Sequence, residues 1–319
     1  MTASAAVASP IAPRAPTAAR FFASRFFAIL VIVLGIIVIW YAGAFYLNAP
    51  FQRTLDENAE VVRDPLDFFA TTMNQPKPTL PAPHQVAADT WQTVFLANPT
   101  KPSSLIYHAW VTLASTLAGF VSGTLLGILL AVGIVQVRSL DKSLMPWVIS
   151  SQTIPILALA PILVVVAFNL FTGQLNFPTD LSRFVAKALI STYLSFFPVT
   201  VGMVKGLRSP SPIHLDLMRT YNATAAETLW KLRLPASLPF LFTSMKVAIA
   251  ASLVGAIVAE LPTGAVAGIG AKLLIGSYYS QSIQMWSALV VGSLLAAILV
   301  TAVAIVERSV NRRMGAQPA

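Results

Sequence analysis

Cysteine is absent from this chain of 319 residues, and only three histidines are present. The missing thiols exclude disulfides and thiolate chemistry, and they leave the redox compartment undetermined. His84, His108 and His214 are widely spaced, so they form no metal-binding pattern. No Ser/His/Asp triad or paired carboxylates stand out either. We therefore predict no catalytic residue, no metal and no cofactor.

Charged residues are also scarce, at 10% of the sequence, whereas hydrophobic residues make up 56% and the mean hydropathy is +0.74. This composition is typical of a membrane protein. The net charge of +9 does not indicate nucleic-acid binding, because the basic residues lie beside apolar runs and form no single patch. The partner that composition predicts is the lipid bilayer.

Long apolar runs predict six membrane spans, since each span needs about 20 apolar residues. The first covers 26–47, and the others lie at about 106–136, 143–170, 185–205, 240–261 and 285–306. A cleaved signal peptide is the alternative for the first run, because Ala42-Gly43-Ala44 is similar to a cleavage site. Its apolar core exceeds the usual length of about 7–15 residues, which favours an uncleaved span.

The remaining segments are a predicted disordered tail over 1–25, a polar connection over 48–104 and a short tail over 315–319. The polar connection is rich in acidic residues and proline. Its last part has apolar residues at helical spacing from Val86 to Phe95, which predicts a short helix on the membrane surface.

Basic residues predict the orientation of the six spans. Fourteen lysines and arginines fall on the side that holds both termini and the connection between spans four and five, against seven on the other side. Because cytoplasmic segments carry the excess of basic residues, both termini are predicted to be cytoplasmic and 48–104 extracytoplasmic.

One polar segment interrupts the apolar pattern. The pattern predicts a charged helix over Asp216–Pro239 (DLMRTYNATAAETLWKLRLPASLP) that ends at Leu234-Pro235. It lies on the predicted cytoplasmic side. A polar helix held between two spans is suited to dock a soluble partner.

Several residues within the spans are candidates for function. Gly119, Gly123 and Gly127 recur every four residues, so they predict a close helix contact that either moves during transport or is ordinary packing. Pro155 predicts a kink or break in the third span. The candidates for a translocation pathway are Gln152, Thr153, Ser191, Tyr193, Ser195 and Glu260. Packing between helices is the alternative for the first five, and Glu260 either faces the protein interior or is solvated at the outer interface.

The polar segment resembles the cytoplasmic loop of permease subunits from bacterial binding-protein-dependent ABC importers. That loop has the pattern E-A-A-x-x-x-G, followed about a dozen residues later by Leu-Pro. The matching positions here are Asp216, Leu217, Met218, Asn222 and Leu234-Pro235. Asn tolerates the left-handed backbone that glycine provides, so a helix–turn–helix with its corner near Asn222 is predicted.

The resemblance covers about residues 79–314 and is nearest to the nitrate, sulfonate and taurine branch. The segments that carry this similarity are Leu80-Pro81-Ala82-Pro83, Pro198, Lys205-Gly206-Leu207-Arg208-Ser209 and Ala259-Glu260. It implies an all-α membrane protein with six transmembrane helices, similar to a type I ABC importer permease. The core would cover 105–314, with a coupling loop over 206–239.

The resemblance also implies a homodimer in the bacterial inner membrane, two copies of an ATP-binding subunit and an extracytoplasmic solute-binding protein. The residues that would couple to the ATPase are Asp216, Arg219, Asn222, Glu227, Lys231, Leu234 and Pro235. Oxyanions and pyrimidine-type solutes both remain open, with the aromatic residues of span four favouring a heterocycle. An ion- or proton-coupled secondary transporter that uses Glu260 is the alternative function.

Overall fold

The computed structural model describes residues 25–262 and 264–313, and all regular secondary structure among them is helical. Six of these helical segments are long and apolar enough to cross a membrane, which confirms the predicted fold class. They are Phe27–Asn58, Leu105–Gln136, Ile156–Gln174, Thr179–Leu207, Ala225–Glu260 and Ser282–Arg313. The predicted tails over 1–25 and 315–319 lie outside the described residues, except for Arg25 at the start of the first helix.

The chain divides into two compact units, Met1–Gln85 and Val86–Ala319. The first unit contains α1 (Arg25–Asn58) and α2 (Pro65–Met73). Helix α1 does not end at Leu47, where the first span was expected to end. Hydropathy marks where a helix leaves the apolar layer, but the polar residues that follow are good helix formers and continue the same helix.

A buried amide in α1 holds the extended segment that follows α2. The Oδ1 atom of Asn48 accepts a hydrogen bond from the Thr79 N–H at 2.8 Å, and its Nδ2 atom donates to the Leu80 carbonyl at 2.8 Å. Trp40 Nε1 donates to the Pro81 carbonyl at 3.0 Å. Side chains of α1 therefore supply partners that this non-helical backbone lacks.

The surface helix predicted around Val86–Phe95 is present as α3 (Pro83–Trp91), which continues into a π-helical turn at Gln92–Leu96. Trp91, Phe95 and Leu96 are exposed. Exposed aromatic and aliphatic side chains suit a membrane surface, and that location stays a prediction.

Three long helices form the centre of the second unit: α4 (Leu105–Gln136), α7 (Thr179–Leu207) and α10 (Leu234–Glu260). The last long helix is α12 (Ser282–Arg313). A buried apolar cluster joins these four helices and includes Phe120, Val199, Ile249, Leu253 and Leu299.

The glycines of α4 lie directly against α7. A Cβ atom on Gly123 would lie 2.8 Å from the Thr192 carbonyl oxygen, and one on Gly127 would lie 2.8 Å from Val199 Cβ. The Ser195 hydroxyl donates to the Gly119 carbonyl at 3.0 Å. These small residues allow the two backbones to approach closely, and movement along this contact remains a prediction.

Shorter helices complete the second unit: α5 (Arg138–Ser151), α6 (Ile156–Asn169) with a π-helical turn at Leu170–Gln174, α8 (Pro212–Thr220), α9 (Ala225–Thr228) and α11 (Ile269–Tyr278). The third span was expected over 143–170 with a kink or break at Pro155; the chain is divided there between α5 and α6, and the segment long and apolar enough to cross a membrane begins only at Ile156. The expected stop at Leu234-Pro235 is wrong. A wider π-helical turn, Leu229–Arg233, precedes Pro235, which then occupies the first turn of α10, where its missing N–H is tolerated.

Candidate functional site

The predicted break at Pro155 is confirmed, and a tyrosine from a neighbouring helix stabilises it. Pro155 has no N–H, so the carbonyl of Ser151, four residues earlier, loses its helical partner. The Tyr193 hydroxyl donates to this carbonyl at 2.6 Å. Gln152 and Thr153 lie exposed in the gap between α5 and α6. The break therefore presents polar side chains without leaving the freed carbonyl unpaired.

The two serine candidates of α7 occupy a different position. Ser191 and Ser195 are fully buried on the face that contacts the glycines of α4. Tyr193 lies on another face, as the helical spacing predicts. In the single chain, the serine hydroxyls thus lie within a helix contact, whereas Gln152 and Thr153 face outward.

Glu260 is fully buried at the end of α10, which contradicts the solvated alternative. Its Oε1 atom accepts a hydrogen bond from Thr112 Oγ1 at 2.9 Å and lies 3.6 Å from Lys187 Nζ. Its Oε2 atom accepts from the Gly270 N–H at 2.8 Å. The carboxylate therefore joins α4, α7, α10 and α11.

This cluster caps the beginning of α11, where backbone N–H groups have no helical acceptor. The Gly268 N–H donates to His108 Nδ1, the Ile269 N–H to Thr112 Oγ1 and the Gly270 N–H to Glu260, at 2.9, 2.9 and 2.8 Å. An anionic group is favourable at a helix N-terminus. We call Glu260, Thr112, His108 and Lys187 the α11 cap.

Gly268 is the position in the α11 cap where the backbone demands glycine. Its φ is +132°, and a Cβ atom there would collide with the Glu260 carboxylate. The Glu260 carboxylate therefore packs directly against the turn before α11, with no room for a side chain at position 268.

Sequence reasoning identified Glu260 but missed its partners. Lys187 lies within the predicted fourth span but was counted only among the seven basic residues of the non-cytoplasmic side. A lysine inside a membrane span signals a buried ion pair. Thr112 and His108 carry no such signal. Their roles depend on α4 reaching the start of α11 across about 160 residues of sequence, as the hydrogen bond from Gly268 to His108 shows.

The polar segment forms two helices joined by a sharp corner. Helix α8 ends at Thr220, and Asn222 takes a left-handed conformation with φ +52°. The Ala223 N–H donates to the Met218 carbonyl at 2.9 Å. The predicted corner at Asn222 is confirmed, and the prediction of one continuous helix from Asp216 is wrong.

Local side-chain contacts stabilise both arms of this corner. Thr224 and Glu227 form a reciprocal capping box at the start of α9. Lys231 Nζ lies 2.9 Å from Glu227 Oε1, and Arg219 lies 3.1 Å from Asp216. These ion pairs are exposed, so each contributes little stability.

Exposed apolar side chains accompany the charges. Tyr221 is 77% exposed at the corner and Trp230 is 71% exposed on the second arm, and Ile213 and Leu217 are exposed on α8. Large apolar side chains among charges are typical of a protein-docking surface. From here on, the name coupling loop, taken from the resemblance that implies it over 206–239, is kept for residues 208–233, which lie between α7 and α10.

Comparison with known proteins agrees with this arrangement. The family model described as "Binding-protein-dependent transport system inner membrane component" matches residues 123–316. The chain belongs to this permease family. The match includes the long helices α7, α10 and α12 and the whole coupling loop, and it lies within the second unit.

Three relatives illustrate the family. A probable ABC transporter permease of Haemophilus influenzae is 31% identical over 60% of this chain and 73% of its own length. A formylaminopyrimidine transport permease of Halalkalibacterium halodurans is 30% identical, covering 64% and 73%. A riboflavin transport system permease of Chloroflexus aurantiacus is 26% identical, covering 76% and 83%. The protein is thus an inner-membrane permease component of an ABC importer for small solutes.

The bond between Tyr193 and Ser151 can be tested with a double-mutant cycle. Tyr193→Phe leaves the Ser151 carbonyl without its donor, so we expect the free energy of unfolding in detergent to fall by about 1–3 kcal/mol. Pro155→Ala restores a backbone N–H four residues after Ser151, so Tyr193→Phe should cost much less in that background. Tyr278→Phe, at an exposed tyrosine, is the matched control. Equal costs of Tyr193→Phe in both backgrounds would contradict this role.

The α11 cap predicts that Glu260 stabilises the fold by neutralising the buried Lys187. Glu260→Gln retains an acceptor for Gly270 but leaves Lys187 buried without a counter-charge, so we expect a loss of about 3–5 kcal/mol. Adding Lys187→Met should recover part of this loss. Denaturation in detergent measures both variants, with Glu227→Gln in an exposed pair as the control. If the double variant were less stable than Glu260→Gln alone, the pairing would be wrong.

Proposed function

We propose that this permease forms the translocation pathway of an ATP-driven importer and receives its driving force at the coupling loop. Transport against a gradient needs an external energy input, and the coupling loop offers charged and apolar groups on both arms of one corner. The observation that carries the proposal is the left-handed corner at Asn222, which turns the chain between α8 and α9. A separate ATP-binding subunit would hydrolyse ATP.

Each predicted coupling residue has a place in this proposal. Asp216 and Arg219 present charges on α8, while Glu227 and Lys231 present charges on the second arm. Leu234 and Pro235 begin α10, which continues to the α11 cap. Movement of the docked loop can therefore reach the far end of α10 through one continuous helix.

The basic residues support a cytoplasmic position for the coupling loop and both termini. The 48–104 connection would then be extracytoplasmic, on the side where a solute-binding protein delivers its cargo. A second copy of the permease would enclose the pathway, so each copy would bind one ATP-binding subunit.

A small nitrogen heterocycle is the proposed solute. Two of the relatives described above are named for formylaminopyrimidine and riboflavin transport. Aromatic residues on α7, such as Phe196 and Phe197, are suited to contact a flat ring.

The alternative is a proton-coupled carrier that uses Glu260 as its proton site. The contacts of Glu260 support a structural role instead, because the carboxylate caps α11 and faces Lys187 at 3.6 Å. The transport experiment described next also tests the carrier hypothesis.

Uptake by proteoliposomes tests the proposal. With the ATP-binding subunit and binding protein present, we expect ATP-dependent uptake of radiolabelled formylaminopyrimidine. Asn222→Val should reduce uptake at least fivefold, because a β-branched residue is strained at positive φ by about 1–2 kcal/mol. Asn222→Gly permits the same backbone and should retain uptake.

Each contrary result has a defined meaning. Uptake that needs no ATP-binding subunit and disappears in Glu260→Gln would establish the carrier. ATP-dependent uptake of nitrate without uptake of the pyrimidine would retain the permease role and overturn the heterocycle.

A further inference from the structure

An open cavity of about 480 Å³ lies at the surface between α7 and α10, close to the coupling loop, where Lys205 and Thr243 are exposed. Its walls include Phe197, Val201, Lys205, Phe240 and Thr243. The volume falls within the usual range for small-molecule sites, about 300–1,000 Å³, and the lining combines apolar walls with a few polar groups. None of the residues predicted for the pathway contributes to it.

Lys205 is the charged group of this cavity. Its Nζ atom lies 5.9 Å from the centroid of the Phe240 ring, so the ammonium is positioned over an aromatic face. No described carboxylate lies within ion-pair distance of Lys205. The ammonium therefore offers its donors and its charge to the cavity.

Thr243 supplies the opposite hydrogen-bonding character. Its hydroxyl proton is already donated to the Pro239 carbonyl at 2.9 Å. The hydroxyl oxygen therefore has acceptor capacity left for a ligand in the cavity. The cavity thus combines a cationic donor, a neutral acceptor and aromatic rings, whereas a lipid acyl chain would satisfy only the apolar part.

The helices that form the cavity approach each other closely beside it. A Cβ atom on Gly202 would lie 2.6 Å from Ser244 Cβ, and one on Gly206 would lie 2.8 Å from Ser237 Cβ. Helix α7 ends at Leu207, immediately before the coupling loop, and α10 begins at Leu234, immediately after it. The two walls are therefore the helices that lead into and out of the coupling loop.

We propose that this cavity is a solute-binding position of the permease for a planar nitrogen heterocycle that carries an acidic substituent. The ring contacts Phe197 and Phe240, the acidic group binds Lys205, and a ring N–H donates to Thr243. This assignment rests on the proposed transport of heterocycles and adds a preference, within that class, for solutes with an acidic group over neutral ones.

Orotate and uracil are suitable probes, because they share a pyrimidine ring and differ by a carboxylate. We expect the full-length permease in phosphatidylcholine nanodiscs to bind tritiated orotate at least tenfold more tightly than uracil. Lys205→Met should reduce that ratio to about one, since the change removes the charge and leaves the ring contacts. Lys205→Arg should preserve the preference, and Lys77→Met, a lysine of the first unit, is the matched control.

The absence of native cysteine permits a second readout in the same chain. Val201→Cys, on the cavity wall, should react with N-ethylmaleimide, and orotate should slow this reaction at least fivefold. Thr301→Cys on α12 should react at the same rate with and without orotate.

Three results would overturn the inference: equal affinities for the two probes in the unaltered permease, an unchanged ratio in Lys205→Met, or displacement of orotate by phosphatidylglycerol in the bilayer. ATP-dependent pyrimidine uptake together with any of these results would leave the proposed function standing. Selective orotate binding without ATP-dependent uptake would overturn the function and retain the site.

Discussion

Backbone N–H and C=O groups inside a bilayer need partners within the protein, because hydrocarbon supplies none. Continuous helices meet this requirement within themselves. Where a helix breaks or begins, other side chains must supply the missing partners. The Ser151 carbonyl, freed by Pro155, receives the Tyr193 hydroxyl. The first N–H groups of α11 receive His108, Thr112 and Glu260. These two interruptions are thus closed by side chains from other helices.

These closures also bear on the proposed transmission of movement through the second unit. Helix α10 joins the coupling loop at one end to the α11 cap at the other, and its close contacts with α7 border the cavity near Lys205. A rigid helix with a fixed partner at each end can carry a small displacement over its whole length. A buried carboxylate at its far end adds stability only while Lys187 and the α11 backbone remain in place.

Hydropathy and motif spacing predicted the all-α class, the six spans, the break at Pro155 and the corner at Asn222. Those features depend on local chemistry: apolar length, a missing proline N–H and the tolerance of Asn for positive φ. The C-terminal end of α1 and the continuation of α10 through Pro235 were predicted wrongly, because polar helix formers and a π-helical turn extend helices beyond the apolar runs. The α11 cap and the Lys205 cavity depend on contacts between distant segments, so periodicity carries no signal for them.

The central claim is that the coupling loop receives the ATP-binding subunit. Because the chain contains no native cysteine, a single Tyr221→Cys at the exposed corner can carry a short thiol-to-amine cross-linker. In membranes that contain the assembled importer, the account predicts a cross-linked product of this permease with the ATP-binding subunit. Val62→Cys, fully exposed in the first unit, should give no such product. Cross-linking to the ATP-binding subunit from position 62 and not from position 221 would contradict the account.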